Sequence, residues 1–149
     1  MGYFKNRRLK KELAVSTDEE LIKSFRFCVV LYYLEPNQSL YEAIQAVLTE
    51  IHSRSNKCNK MLLEEMEMLC NNRIITPFFV LQESICYELG RVDTMELLYC
   101  QIHTNNLRNW IKFTYANNLG TEISNRITDE DIDKMEVRIR EVYQALGPR

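Results

Sequence analysis

The chain has 149 residues, 46% of them apolar and 27% charged, with a formal net charge of −2. This composition excludes a disordered chain, and the length suits one domain that buries roughly 70% of its unfolded surface. A charge this close to neutral excludes any overall attraction to nucleic acid or anionic membrane, so such binding would need a local patch.

Residues 1–15 read as a basic flexible arm. Lys5, Arg7, Arg8, Lys10 and Lys11 place five cations within seven residues. They are candidate contacts for nucleic-acid phosphate or another anion, such as lipid or the acidic surface of an import receptor, set against the plainer reading of a solvated tail. Gly2 invites N-myristoylation, but Asn6 stands where that motif needs Ser or Thr. No apolar stretch follows these charges as it would in a secretory signal, so a cytoplasmic or nuclear location is expected. Cys28, Cys58, Cys70, Cys86 and Cys100 are odd in number and lack CxxC spacing, which suits free thiols in a reducing compartment.

Residues 16–147 read as a single helical domain. Thr17 and Glu20 form a capping box, and Pro36 disfavours helical geometry at Glu35, so the first helix is expected over about 18–35. Nine of the ten residues from Phe25 to Leu34 are apolar or aromatic. The run is half the ~20 residues needed to cross a bilayer. Because it is apolar on every side, it has to be surrounded, either inside this domain or against another subunit.

Ser39 and Glu42 suggest a second capping box for a helix over about 40–52, whose inward stripe is Leu40, Ile44, Val47, Leu48 and Ile51. Asn59 is the expected cap of the next helix, with Leu62, Met66, Leu69 and Cys70 inward and Asn71-Asn72 as its stop. Thr76-Pro77 is a strong start for a helix over 77–89 that ends at Gly90. Asp93 and Glu96 open a further helix, and a phase shift between Ile102 and Leu107 predicts a break. Leu107, Trp110, Ile111 and Tyr115 then share a stripe that dissolves at Asn117-Asn118-Leu119-Gly120. Thr128 caps the last helix, with Ile132, Met135, Ile139, Val142, Tyr143 and Leu146 inward. The prediction is an all-α fold, a compact orthogonal bundle of about six or seven short helices. The helix starts show no repeated signature of the kind a solenoid would require.

Catalytic and metal signatures are thin, and no catalytic residue, metal or cofactor is assigned. His52 and His103 are the only histidines. His103 follows Cys100 by three residues, but neither occupies a recognisable nucleophile turn. His52 with Cys58 supplies two zinc ligands at most, and the acids from Asp129 to Glu136 lack the glycine and ligand alternation of a calcium loop. No glycine-rich phosphate loop is present. No resemblance in the chain is specific enough to assign a family.

The expected function is therefore that of a regulatory adaptor, joining a protein partner or a second copy through Phe27, Tyr32, Tyr33, Phe78 and Phe79, because large aromatics dominate interface energetics. The competing reading puts all five in the core. The alternative function, a nucleic-acid-binding regulator, would use the basic arm with Arg54, Lys57, Lys60 or Arg108. Trp110 and Tyr115 with Lys112 form an aromatic-basic group that could stack a base, but core packing explains Trp110 as well.

Overall fold

The structure, a computed structural model, describes residues 2–89 and 101–146, with side chains described for 7–89 and 101–145. Among the described residues every regular element is an α-helix. The chain divides into two compact units, Met1–Ile75 and Thr76–Arg149, where the sequence reading places an arm and one domain. The helix expected to open at Asp93 falls largely outside the described residues, as do Gly90 and Cys100.

The first unit holds α1 (Gly2–Ala14), α2 (Asp18–Leu34), α3 (Gln38–His52) and α4 (Asn56–Asn71). α1 packs on α3, while α2 packs on both α3 and α4. Residues 2–14, expected as a flexible arm, are helical, and Leu13 is buried. α2 begins at the predicted capping box. The Glu20 N–H donates to Thr17 Oγ1 at 3.1 Å, and the Thr17 N–H donates to Glu20 Oε1 at 2.9 Å. These bonds hold the Glu20 carboxyl below its ordinary range. The helix stops where Pro36 forces Glu35 out of helical geometry, at φ −147° and ψ 83°.

Two caps differ from expectation for one physical reason. The true N-cap is the polar residue that first turns extended, even when a better motif follows it. Asn37 (φ −152°) accepts from the Leu40 N–H at 2.9 Å, so α3 starts ahead of the Ser39 box. Ser55 accepts from the Cys58 N–H and starts α4, which leaves Asn59 inside the helix. There Asn59 is buried and donates to the Ile51 carbonyl at 3.0 Å, so it satisfies the end of the preceding helix instead of the start of its own. α4 ends in a Schellman motif. Arg73 takes φ 61°, its N–H donates to the Cys70 carbonyl, and the Ile74 N–H donates to the Leu69 carbonyl, each at 2.9 Å.

Two arginines fasten the unit. Arg26 of α2 donates through Nε and Nη2 to the Glu65 carboxylate of α4 at 2.8 and 2.6 Å, and that carboxylate is almost fully buried. Arg54 donates to Glu50 at 2.9 Å, to Asp18 at 3.0 Å and to the Leu13 carbonyl at 2.9 Å. It thereby ties the ends of α1 and α3 to the start of α2.

The second unit holds α5 (Pro77–Leu89), α6 (Leu107–Asn118), α7 (Thr121–Ser124) and α8 (Asp129–Leu146). α6 is its hub, packing on α5, α7 and α8. The predicted break before Leu107 is a second Schellman motif, with Asn105 at φ 57° and the Asn106 N–H donating to the Gln101 carbonyl at 2.9 Å. Thr128 caps α8 as expected, accepting from the Asp131 N–H at 3.1 Å. The short α7 has no periodic signal long enough to be read from sequence. Val142, expected inward, is 53% exposed; the described inward stripe of α8 is Ile132, Met135, Ile139 and Tyr143, and the Leu146 side chain lies outside the described residues.

Phe25 is fully buried on the inner side of α2. Phe25→Ala is expected to cost about 3–5 kcal/mol of stability in urea denaturation. A loss under about 1 kcal/mol would be too small for a ring that seals a close-packed core.

Candidate interaction surface

α2 has two apolar sides. Leu21, Ile22, Phe25 and Val29 form the inner side and are buried within the first unit. Phe27 and Leu34 lie on the opposite side at 65% and 71% exposure, with Val30 and Leu31 half-buried between them. Residues 27, 30, 31 and 34 follow the three-and-four spacing of a single helix face. A helix this apolar on its outward side lowers its free energy by meeting another surface, at roughly 25 cal/mol per Å² of apolar area removed from water.

The five aromatics expected at an interface are divided by the structure. Phe27 and Tyr33 are exposed on α2. Tyr32 is half-buried against Tyr41 of α3, with ring centroids 6.4 Å apart. Phe78 and Phe79 are half-buried on α5 of the second unit, where the Arg138 guanidinium lies 5.1 Å from the centre of the Phe78 ring. Leu34 and Tyr41 are exposed apolar residues that the sequence reading left out. Leu34 was findable, since it stands two turns beyond Phe27. In the second unit Phe113, Val137 and Val142 are also exposed. Val137 and Val142 are separated by about 140° around α8, so they do not make one face.

The cationic candidates divide as well. Arg7, Arg8, Lys10 and Lys11 are exposed on α1, and Arg8 reaches Glu12 at 3.4 Å. The Lys5 side chain lies outside the described residues. Arg54 is committed to the clasp described above. Arg108 is held by Asp129, Asp133 and Glu136 of α8, which raises its pKa. Lys57, Lys60 and Lys112 are exposed, whereas Trp110 and Tyr115 are half-buried.

Titratable groups in the core are structural in their contacts. The His52 Nδ1–H donates to Asn59 Oδ1 at 2.8 Å, so that ring belongs to the α3–α4 corner. Burial pushes the Cys58 thiol up to about 11, with the nearby Asp18 charge adding to the effect. Burial also raises the Cys28 thiol. A nucleophilic cysteine needs the opposite shift. Among the described residues no group of three or more His, Cys, Asp and Glu side chains could hold a metal ion. No described helix is long and apolar enough to cross a membrane. A hollow of about 390 Å³ lies at the α2–α3 corner, bordered by Tyr32, Pro36, Asn37, Gln38 and Tyr41.

No protein-family model, curated protein or solved structure matches this chain. What its surface can bind follows from geometry alone.

With its thiol raised to about 11, Cys58 is expected to resist iodoacetamide at neutral pH in the folded chain and to react only on unfolding. Rapid labelling of Cys58 in the native state, read by peptide mass spectrometry, would contradict the environment described for it.

Proposed function

We propose that this chain is a non-enzymatic interaction protein that engages another protein through the outward face of α2. The observation that carries this reading is the apolar row from Phe27 to Leu34, exposed at both ends and half-buried at Val30 and Leu31, on a helix whose other side is already committed to the core. Exposed apolar residues scattered singly need no explanation, but a continuous row along one helix face is the surface a partner covers. Cys28, Cys58, Cys70 and Cys86 form no disulfide, which suits a reducing compartment and supports a cytoplasmic or nuclear site of action.

A second reading, nucleic-acid binding, is favoured by a separate observation. α1 turns Leu13 inward and leaves Arg7, Arg8, Lys10 and Lys11 in solvent, while Arg54 secures its C-terminal carbonyls. The cations therefore stand on an anchored helix. Leu13, buried in the first unit, is unavailable for insertion into a bilayer, and this reading takes phosphodiester as the anion.

A photo-crosslinking benzophenone amino acid in place of Phe27 is expected to yield discrete protein adducts in cell extract. The same group in place of Glu64, exposed on α4, is expected to yield none of them, and Leu34→Glu should abolish the adducts at position 27. Identical adduct patterns at both positions would remove the support for an α2 interface. For the second reading, the triple variant Arg7→Gln, Lys10→Gln, Lys11→Gln is expected to flatten the slope of log affinity against log salt for single-stranded RNA by about 2. An unchanged slope would exclude α1 as the phosphate contact.

A further inference from the structure

The outward side of α2 contains one complete i, i+4 ridge. Lys23, Phe27, Leu31 and Glu35 follow one another at four-residue spacing, with Lys23, Phe27 and Glu35 exposed and Leu31 half-buried. Glu35 follows the last helical residue, but its N–H still donates to the Leu31 carbonyl at 2.8 Å, so its backbone continues the ridge by one position. Read from either end, the ridge is a charge, two apolar side chains and the opposite charge.

That order is self-complementary in one orientation only. If two such helices meet antiparallel about a two-fold axis near residue 29, Lys23 and Glu35 each stand about 9 Å from the axis along the helix, and Phe27 and Leu31 each about 3 Å. Lys23 of each copy then faces Glu35 of the other, and Phe27 faces Leu31. A parallel pairing would set Lys23 beside Lys23 and Glu35 beside Glu35, which is repulsive at both ends. The flanking residues do not oppose the antiparallel pairing. Asp18, Glu19 and Glu20 lie beyond the level at which the other copy's α2 ends at Leu34, so no further residue of that helix faces them. Arg26, at the margin of the face, is already neutralised by Glu65.

We infer that the occupant of the α2 face is a second copy of this chain, docked antiparallel through the ridge Lys23–Phe27–Leu31–Glu35. This inference rests on the interaction reading above and specifies its partner. The interface is isologous, so every contact occurs twice. Ridge-to-ridge packing of the i±4 rows crosses the helices at about −50°. Such a crossing is shorter than a standard interface, and the pairing belongs to the transient class.

The test is a charge swap read by sedimentation equilibrium of the full chain. By symmetry Lys23→Glu, or Glu35→Lys, creates two like-charge contacts, and each is expected to weaken dimerisation about fivefold to tenfold at low salt. Combining the two restores opposite charges, and dimerisation should return to within about twofold of the unmodified chain. A double variant weaker than either single one, a dimer indifferent to all three variants, or a chain that stays monomeric at the highest soluble concentration would each overturn the inference. The two readings fail separately. If the chain is monomeric but position 27 still crosslinks to a different protein, the interaction reading stands and the second-copy inference falls. If position 27 gives no specific adduct, both fall.

Discussion

A helix with apolar side chains all the way round has two faces to bury, and the first unit supplies helices for only one of them. α3 and α4 cover Leu21, Ile22, Phe25 and Val29. Phe27, Val30, Leu31 and Leu34 remain on the far side of the same helix. Helix propensity does not require that second apolar row, since any straight-chain polar residue at those positions would serve the helix as well. Under the function proposed above, that row is the surface a partner covers.

The unit presents this face because its other helices are fixed by a few polar contacts of high commitment. Arg54 reaches two carboxylates and the last carbonyls of α1, so three helix ends converge on one guanidinium. Hydrogen bonds to those carboxylates raise its pKa, and the cation is present at any physiological pH. Arg26 does the same between α2 and α4 through a bidentate pair with a buried carboxylate. Removing one member of such a pair leaves the other unpaired, which is why these contacts specify geometry more than they add stability. The clasp at Arg54 also converts a basic tail into a helix with a defined cationic side. One arginine thus settles both the frame that displays α2 and the placement of α1.

Much of this organisation is legible in the sequence, and the exceptions share a cause. The helices starting at Thr17, Pro77 and Thr128 are announced by capping residues next to periodic apolar stripes, and the break before Leu107 is announced by the phase shift. The caps at Asn37 and Ser55 were missed because several Ser and Asn residues compete there, and the choice depends on which turns extended first. Asn59 is the clearest case, since a residue typed as a cap is used as a buried partner for the preceding helix. The α1 helix was missed because a run of cations reads as solvated tail. What holds it in place is Leu13 and a guanidinium some forty residues later in the chain, neither of which leaves a local signal. At the surface, the apolar character of α2 is plain in the sequence, but which aromatics are outward is not. That depends on where α3 and α4 lie, and it separates Phe27 and Tyr33 from the half-buried Tyr32.

The central claim concerns one face of one helix, and amide spectra of the isotope-labelled full chain recorded across a dilution series address it residue by residue. The account predicts that the amides of Phe27, Val30, Leu31, Leu34 and Glu35 shift progressively with concentration while those of Leu21, Phe25 and the second unit stay fixed. Concentration-dependent shifts confined to a different face, or none at all up to the solubility limit, would contradict the docking of a second copy on that face.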